Sequence, residues 1–164
     1  MRGIYFEYKG RRLTFSGDQG IISLRIHLRR KVLIPTFALE RAQELLYIFK
    51  KWEDEGIWPS EWKVVFDSPL NNIHSGVVIL AGSGMLTGGR AIHHLKHMVE
   101  NPNNAVIFVG FQAEGTLGRR IVDGSEKVYI LGSWYDVNLK VYTINGFSSH
   151  AGRDDLIDWF MGKN

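Results

Sequence analysis

The 164 residues suffice for one compact domain with a buried core, and 45 % apolar with 23 % charged residues exclude a disordered chain. There is no cysteine, so disulfides and thiolate metal sites are excluded, and any metal would have to bind His, Asp or Glu. No apolar run reaches membrane-spanning length, and MRGIYFEYKGRR contains no signal-peptide stretch, so we expect a cytoplasmic protein. The net charge of +3 permits a polyanionic partner without requiring one.

The first third of the chain predicts a hairpin, a strand and a helix. The segment IYFEYKGRRLTF, residues 4–15, predicts a β-hairpin that turns at its Lys-Gly pair, and FSGDQG follows as a loop. The apolar run KVLIP ends at a proline and predicts a buried strand over 31–35. Thr36 is then expected to cap a helix that ends at Gly56. The predicted apolar stripe of this helix consists of Phe37, Leu45, Leu46 and Phe49.

Strands and helices alternate in the middle of the chain. The runs WKVVF, VVIL and AVIFVG, at 62–66, 77–80 and 105–110, each predict a buried strand. A helix is predicted from about residue 89 to 100, and LGRRIVDG predicts a short helix with a glycine stop. Because strands alternate with helices, we expect an α/β fold with a mostly parallel sheet and helices on both faces.

The last third predicts two more strands and a closing helix. The strands are KVYIL at 127–131 and LKVYTI at 139–144, of which the second alternates, and the helix is RDDLIDWFMG. The sequence has no internal repeat and no low-complexity linker. The tryptophan side chains are expected to pack in the interior rather than to stack on a ligand. They are Trp52, Trp58, Trp62, Trp134 and Trp159.

The segment GGRAIHHLKHM, residues 88–98, raises the question of a metal site because histidine is the commonest metal ligand. At 100 degrees per residue, His93 and His97 lie on the polar face of a helix. The zinc-protease helix H-E-x-x-H has a glutamate base between its histidines, but this chain has His94 there. We therefore expect a solvated polar face and no metal site. The predicted buried stripe is Ile92, Leu95, Met98 and Val99.

Three loops follow predicted parallel strands at their carboxyl ends, where such sheets bind ligands. They are DSPL, GSGMLTGG and FQAEGTLGRR. The second loop is expected to present small residues and free backbone N–H groups at a helix N-terminus, which suits a phosphate. It is neither G-x-G-x-x-G nor a Walker loop, so the pattern alone is weak. A nucleotide-binding α/β enzyme that uses this loop is one alternative for the function.

Five segments together resemble the β-CASP branch of the metallo-β-lactamase fold. They are VLIPTFALERAQELLYIF, VVFDSPL, AGSGMLTGGRAIHHL, NAVIFVGFQAEGTLGRRIVDG and GFSSHAGRDDLIDWF. Members are zinc-dependent RNA-processing nucleases, similar to the cleavage and polyadenylation specificity factor nuclease, and residues 31–70 and 77–164 fit the family in order. The resemblance implies a remnant of the metallo-β-lactamase core over 1–30, a shortened β-CASP-like region over 31–120 and an RNA-specificity segment over 121–164.

The resemblance also implies catalytic residues that bind zinc. The family's F-S-x-H-A motif corresponds to 147–151, which implies that His150 is a zinc ligand and that Ser148 and Ser149 face the scissile phosphate. The segment FSGD is similar to the one whose aspartate bridges two zinc ions, which indicates Asp18. A carboxylate suits that position because a shared anion offsets the repulsion between two close cations. In the family, the histidine pair after GGRAI is scaffold, and the metal histidine lies later.

The partner implied by the resemblance is single-stranded RNA, held through its phosphates. Binding of this kind weakens as the salt concentration rises. The candidate phosphate-binding residues outside the metal site lie in the loops described above and in the F-S-x-H-A motif. They are Ser83, Gly84, Gly88, Gly89, Thr116, Arg119, Arg120, Ser148 and Ser149.

The chain also departs from the family pattern. The metal cluster H-x-H-x-D-H and the motif E-S-T-Y-G are missing, and NNIHSG replaces a long helical stretch after DSPL. Arg120 stands where some members carry histidine. A catalytic zinc usually has about three protein ligands, so we expect two ligands to hold zinc weakly and the isolated chain to show little nuclease activity. The alternative is a non-catalytic RNA-binding subunit or a partner of a complete nuclease, and the shortened insert favours a homodimer.

Overall fold

The computed structural model describes residues 4–8, 11–15, 22–24, 31–36, 38–56, 58, 60–66 and 76–144, with the backbone alone described over 4–24 and 38–41. The strands are β1 (Ile4–Tyr8), β2 (Arg11–Phe15), β3 (Ile22–Leu24), β4 (Lys31–Thr36), β5 (Lys63–Phe66), β6 (Val77–Gly82), β7 (Ala105–Phe108), β8 (Lys127–Ile130), β9 (Ser133–Asp136) and β10 (Lys140–Thr143). The helices are α1 (Ala38–Asp54), α2 (Gly89–Lys96) and α3 (Leu117–Val122). No described helix combines the length and apolarity needed to cross a membrane.

The first three strands form a small sheet in the order β2-β1-β3. Strands β1 and β2 pair antiparallel with Ile4 opposite Phe15 and Tyr8 opposite Arg11, so the predicted hairpin is confirmed. Strand β3 was not predicted from the sequence, and it pairs with β1 in parallel. The FSGDQG segment begins with Phe15, the last residue of β2, and its residues 16–20 lie outside the described part of the chain.

The main sheet has five strands in the order β10-β7-β4-β6-β5, and its described pairs are all parallel. The predicted α/β class with a mostly parallel sheet is confirmed. Strands β4, β6 and β7 are almost entirely buried. The strand predicted at 62–66 forms as β5, but the prediction that it is buried is wrong, because β5 is an edge strand whose Phe66 is exposed. An edge strand has only one neighbour and part of its surface faces water.

Alternating side chains of the sheet pack against helices on opposite faces, as the strand period of two requires. Val32 and Ile34 pack on the face covered by Leu45 and Phe49 of α1. Leu33 packs on the other face with residues of α2 and α3, including Leu95 and Ile121. The prediction of helices on both faces is confirmed. Full burial of each such side chain stabilises the fold by about 1.5–3 kcal/mol.

Helix α1 agrees with the sequence prediction except at its N-terminus and at one residue of the predicted apolar stripe. Leu45 and Phe49 are buried, but Leu46 is exposed because it lies on the outer side of the helix. Thr36 is not the N-cap, because it ends β4 and its hydroxyl donates to the carbonyl oxygen of Ala81 at 3.3 Å. Gly56 ends the helix as predicted, with a φ of +67°. The Phe37 side chain lies outside the described residues.

The tryptophans confirm the packing prediction at three positions and contradict it at one. Trp52 and Trp62 are buried, and Trp58 packs partly buried against them and Phe49. The Trp58 indole N–H donates to the Trp62 carbonyl oxygen at 3.2 Å. Trp134 is 65 % exposed, because it projects from the outer side of a hairpin instead of entering the core. Trp159 lies outside the described residues.

Strands β8 and β9 form an antiparallel two-stranded hairpin whose second strand was not predicted from the sequence. Val128 and Ile130 point inward and are buried, while Tyr129 between them is exposed and contacts the ring of Trp134. Alternation was predicted for LKVYTI, but the structure shows it in β8 instead. Strand β10 is partly buried along most of its length because it lies at the edge of the main sheet. The closing helix RDDLIDWFMG lies outside the described residues.

Candidate nucleic-acid interface

Two described loops leave the carboxyl edge of the main sheet. The β6 loop, residues 83–88, connects β6 to α2, and the β7 loop, residues 109–116, connects β7 to α3. Ligands of open parallel sheets bind at this edge. A third loop was predicted there, but DSPL falls at residues 67–70 outside the described part of the chain. The two loops and the helices that follow them therefore form the candidate site.

The β6 loop uses its own polar atoms to hold its shape. Ser83 Oγ accepts from the backbone N–H of Thr87 at 3.0 Å and from that of Gly88 at 3.2 Å. The backbone of Ser83 has a φ of +87°, which strains a residue with a side chain and is maintained by these bonds. The prediction that the loop presents free N–H groups is therefore wrong for Thr87 and Gly88, because a serine hydroxyl already accepts from both.

The start of α2 keeps the properties of a positive helix end. Gly88 is the N-cap, but no side chain makes a capping hydrogen bond and the first turn contains no acidic residue. The first N–H groups of an α-helix have no acceptor within the helix, and the aligned peptide dipoles give this end a partial positive charge. At Gly89, with a φ of +62°, a Cβ would lie 3.2 Å from the carbonyl oxygen of Gly82. Glycine there lets strand and helix approach closely.

The histidines of α2 have the distribution that the sequence predicts. His93 and His97 are exposed, and the buried side carries Leu95, Met98 and Val99. Helix α2 itself ends at Lys96, so it is shorter than the predicted span to residue 100. Within the described residues, no group of three His, Cys, Asp or Glu side chains could hold a metal ion. The exposure of His93 and His97 agrees with the predicted polar face, whereas His94 between them is buried.

Gln112 joins the two loops and was not predicted from the sequence. This side chain is only 5 % exposed, and its Nε2 lies 3.0 Å from the carbonyl oxygen of Gly84 in the β6 loop. Its Oε1 is buried without a hydrogen-bond partner among the described residues. A second link joins the backbone N–H of Gly118 to the carbonyl oxygen of Met85 at 3.0 Å. The sequence signal that could have identified this residue is its position, because Gln112 is a polar residue directly after the apolar run AVIFVGF.

The β7 loop ends at the N-cap of α3. Thr116 Oγ1 accepts from the backbone N–H of Arg119 at 3.2 Å and donates to the carbonyl oxygen of Ala113 at 2.7 Å. Arg119 Nε bonds Asp123 Oδ2 at 2.8 Å, and this carboxylate raises the pKa of the guanidinium. Arg120 is exposed and has no ion pair with another described residue. The two neighbouring arginines therefore differ in their availability for an anion.

The residues predicted to bind zinc are not among those the structure describes. Asp18 and His150 both lie outside, as do Ser148 and Ser149 of the F-S-x-H-A motif. The candidates within the described residues divide between the two loops. The β6 loop and the start of α2 hold Ser83, Gly84, Gly88 and Gly89, and the start of α3 holds Thr116, Arg119 and Arg120.

The fold and these loops define a class of protein, an α/β protein with loops at the carboxyl ends of a parallel sheet, where open sheets of this kind bind ligands. Comparison with protein families narrows this class. Residues 70–121 match the Beta-Casp domain, and residues 134–161 match the Zn-dependent metallo-hydrolase RNA specificity domain. The chain therefore belongs to the β-CASP family of metallo-β-lactamase-fold proteins, as the sequence motifs indicated.

Curated relatives agree with this assignment. The chain is 36 % identical to a ribonuclease of Thermus thermophilus over 180 positions, which include 81 % of this chain and 41 % of the relative. It is 35 % identical to the transcription termination factor FttA of Methanocaldococcus jannaschii, with 79 % of this chain and 28 % of that protein covered. The FttA of Pyrococcus horikoshii is 41 % identical over the same share of each chain, 79 % and 28 %. The chain thus spans less than half the length of these relatives.

The lengths of the alignments bear on the predicted gaps. The alignment with the Thermus protein covers 180 positions although this chain has 164 residues. Part of the relative inside the aligned span therefore has no counterpart in this chain. This agrees with a chain that is shorter than the family pattern, as the missing motif and the NNIHSG segment indicated.

Proposed function

We propose that this chain is an RNA-processing metallo-hydrolase of the zinc-dependent ribonuclease family, and that its described sheet edge binds the phosphates of single-stranded RNA. The observation that carries the proposal is the Beta-Casp match over residues 70–121, which contains both edge loops and the starts of α2 and α3. A match to an RNA specificity domain over 134–161 supports RNA as the ligand. In this proposal, residues 1–30, 31–120 and 121–164 are core remnant, shortened β-CASP region and RNA-specificity segment.

The candidate residues take different parts in phosphate binding. The positive end of α2 at Gly89 and the exposed guanidinium of Arg120 meet the phosphates, because backbone N–H groups and arginine suit these oxygens. Arg119 contributes less, since Asp123 already pairs with it. Ser83, Gly84 and Thr116 hold the loops in shape through their hydrogen bonds. Gly88 has no side chain, and the space beside the helix end is open at this position.

Zinc is proposed as the cofactor through Asp18 and His150, with Ser148 and Ser149 facing the scissile phosphate. A bound zinc ion lowers the pKa of its water and polarises a phosphoryl oxygen. Two side-chain ligands are fewer than the roughly three that a catalytic zinc usually has. We therefore propose that the isolated chain binds zinc weakly and cleaves RNA slowly or not at all.

The second candidate function is a non-catalytic RNA-binding or partner subunit of a complete nuclease. It is favoured by the absence of the family's cluster H-x-H-x-D-H from the 164 residues. In this case, the sheet edge would still bind RNA, and the complete nuclease would hold the catalytic metal.

Metal content separates the two candidates. The purified chain and its His150→Ala and Asp18→Asn variants are analysed for zinc and for cleavage of single-stranded RNA. His93→Ala serves as the matched control, because this histidine lies on the exposed face of α2. Zinc that is lost in both ligand variants and retained in the control supports the hydrolase. RNA binding without zinc in any variant supports the non-catalytic subunit.

Two results would contradict the proposal. Rapid cleavage by the purified chain, sensitive to EDTA and lost in His150→Ala, would overturn the expected weak activity. Thermal stabilisation by a mononucleotide without any binding of RNA would instead support a nucleotide-binding enzyme that uses the β6 loop. We expect RNA binding that weakens with rising salt, because phosphate contacts release counterions.

A further inference from the structure

Phe111 is an apolar side chain in an unusual place. It is 74 % exposed, although it lies only three residues after the last residue of the buried strand β7. An exposed ring forgoes the stabilisation of about 1.5–3 kcal/mol that burial would give it. Packing in the described part of the chain therefore does not account for the aromatic side chain at this position.

The backbone that carries the ring is held firmly from the inside. Nε2 of the buried Gln112 lies 3.2 Å from the carbonyl oxygen of Phe111 and 3.1 Å from that of Gly110. The same nitrogen lies 3.0 Å from the carbonyl oxygen of Gly84 in the β6 loop. The backbone at Phe111 is therefore linked through Gln112 to the β6 loop, while the ring itself is exposed. A residue whose backbone is already ordered loses less conformational entropy when it binds a ligand.

The surroundings of Phe111 indicate which ligand would use the ring. Phe111 is the first exposed residue of the β7 loop, at the carboxyl edge of the sheet. The same edge carries the start of α2, and the exposed Arg120 lies in α3, which begins directly after Thr116. Single-stranded RNA alternates charged phosphates with flat bases. Proteins bind such strands by combining positive charge along the backbone with aromatic rings on which bases stack. The edge offers both.

We infer that Phe111 is a base-stacking residue, on which one base of single-stranded RNA lies while the neighbouring phosphates meet the α2 end and Arg120. The inference rests on the proposed function, because it requires RNA to occupy this edge. Every base has a flat face, so the contact tolerates any sequence. Bases inside a duplex are already stacked on each other, so double-stranded RNA cannot make the contact without unpairing.

The test measures the affinity of the full chain for a short single-stranded RNA and for the same strand with abasic positions. Phe111→Ala is compared with Phe111→Trp, which keeps a flat ring, and with Phe111→Leu, which keeps only apolar area. Tyr47→Ala is the matched control, because Tyr47 is 73 % exposed on α1 away from the sheet edge. Thermal unfolding is measured for each variant and should be unchanged, since the removed ring is exposed.

Phe111→Ala should weaken binding of the base-containing strand about 5- to 150-fold, the range for loss of one stacked base. Binding of the abasic strand should be unchanged, and Phe111→Trp should retain most of the affinity. Equal affinity of Phe111→Ala and the parent chain for normal RNA would overturn the stacking role and leave the proposed function standing. Equal weakening for both strands would also overturn it, because it would show a distorted loop. If the parent chain binds neither strand, the proposed function itself fails.

Discussion

The two loops at the sheet edge differ in the side chains that they leave exposed. In the β6 loop, Ser83 accepts from two backbone N–H groups and the Gly84 carbonyl lies near Gln112, so the polar groups face one another. The β7 loop and the start of α3 leave Phe111 and Arg120 exposed. A glycine-rich loop beside a helix end invites assignment as the binding element. The hydrogen bonds show that Ser83 and Gly84 hold this loop in shape, whereas Phe111 and Arg120, in the β7 loop and α3, are exposed.

The largest loss of stability should come from a substitution at Gly118, where α3 meets the β6 loop. A Cβ at this position would overlap Gln112 Oε1 and would lie 3.0 Å from the carbonyl oxygen of Met85. Gly118→Ala should therefore lower the free energy of unfolding by about 3 kcal/mol, as overpacking of a tight site does. Chemical denaturation measures this. Gly82→Ala is the control, because a Cβ there has no neighbour within 4 Å. Equal stability of both variants would contradict a close junction between the loops.

A smaller loss should follow from removing the buried amide itself. Gln112→Leu keeps much of the side-chain volume but removes the donor shared by the carbonyl oxygens of Gly84, Gly110 and Phe111. Leaving buried acceptors without a donor should cost about 2 kcal/mol of unfolding free energy. Hydrogen exchange should show faster opening of the β6 loop. A variant with unchanged stability and exchange would show that the loops are held together by other contacts.

Ser83→Ala should destabilise the fold by about 1 kcal/mol, the usual effect of losing a hydroxyl that accepts from a loop or helix-start N–H. The backbone at Ser83 has a φ of +87°, and the hydrogen bonds to Thr87 and Gly88 maintain it. Ser133→Ala, at an exposed position of β9, is the control for thermal unfolding. If Ser83→Ala instead weakens RNA binding without changing stability, the β6 loop is a direct contact and the contrast between the loops fails.

The smallest effect should separate the two arginines of α3. Arg120→Gln should weaken binding of single-stranded RNA about 2- to 5-fold and reduce the slope of affinity against salt by about 0.7. Arg119→Gln should change both less, because Asp123 already pairs with Arg119 and holds its pKa raised. Titration of RNA at several salt concentrations measures both quantities. A larger loss in Arg119→Gln would reverse the assignment of the phosphate-binding arginine.

The sequence by itself determined the α/β class and much of the element order. The apolar runs at β4, β6 and β7 are continuous because both faces of these strands are buried, so they can be recognised without coordinates. The family could be recognised as well, because its motifs are local strings of residues. The same is true of the exposed histidine face of α2, which follows from helical periodicity.

Only the tertiary structure decided which polar groups are already engaged. The hydroxyl of Ser83 and the amide of Gln112 reach partners four to 28 residues away, and no local pattern specifies such pairs. The edge position of β5 and the exposure of Phe111 and Trp134 likewise depend on the order of strands and on what lies beside them. Periodicity shows that a side chain faces one side of an element, but burial depends on whether another element covers that side.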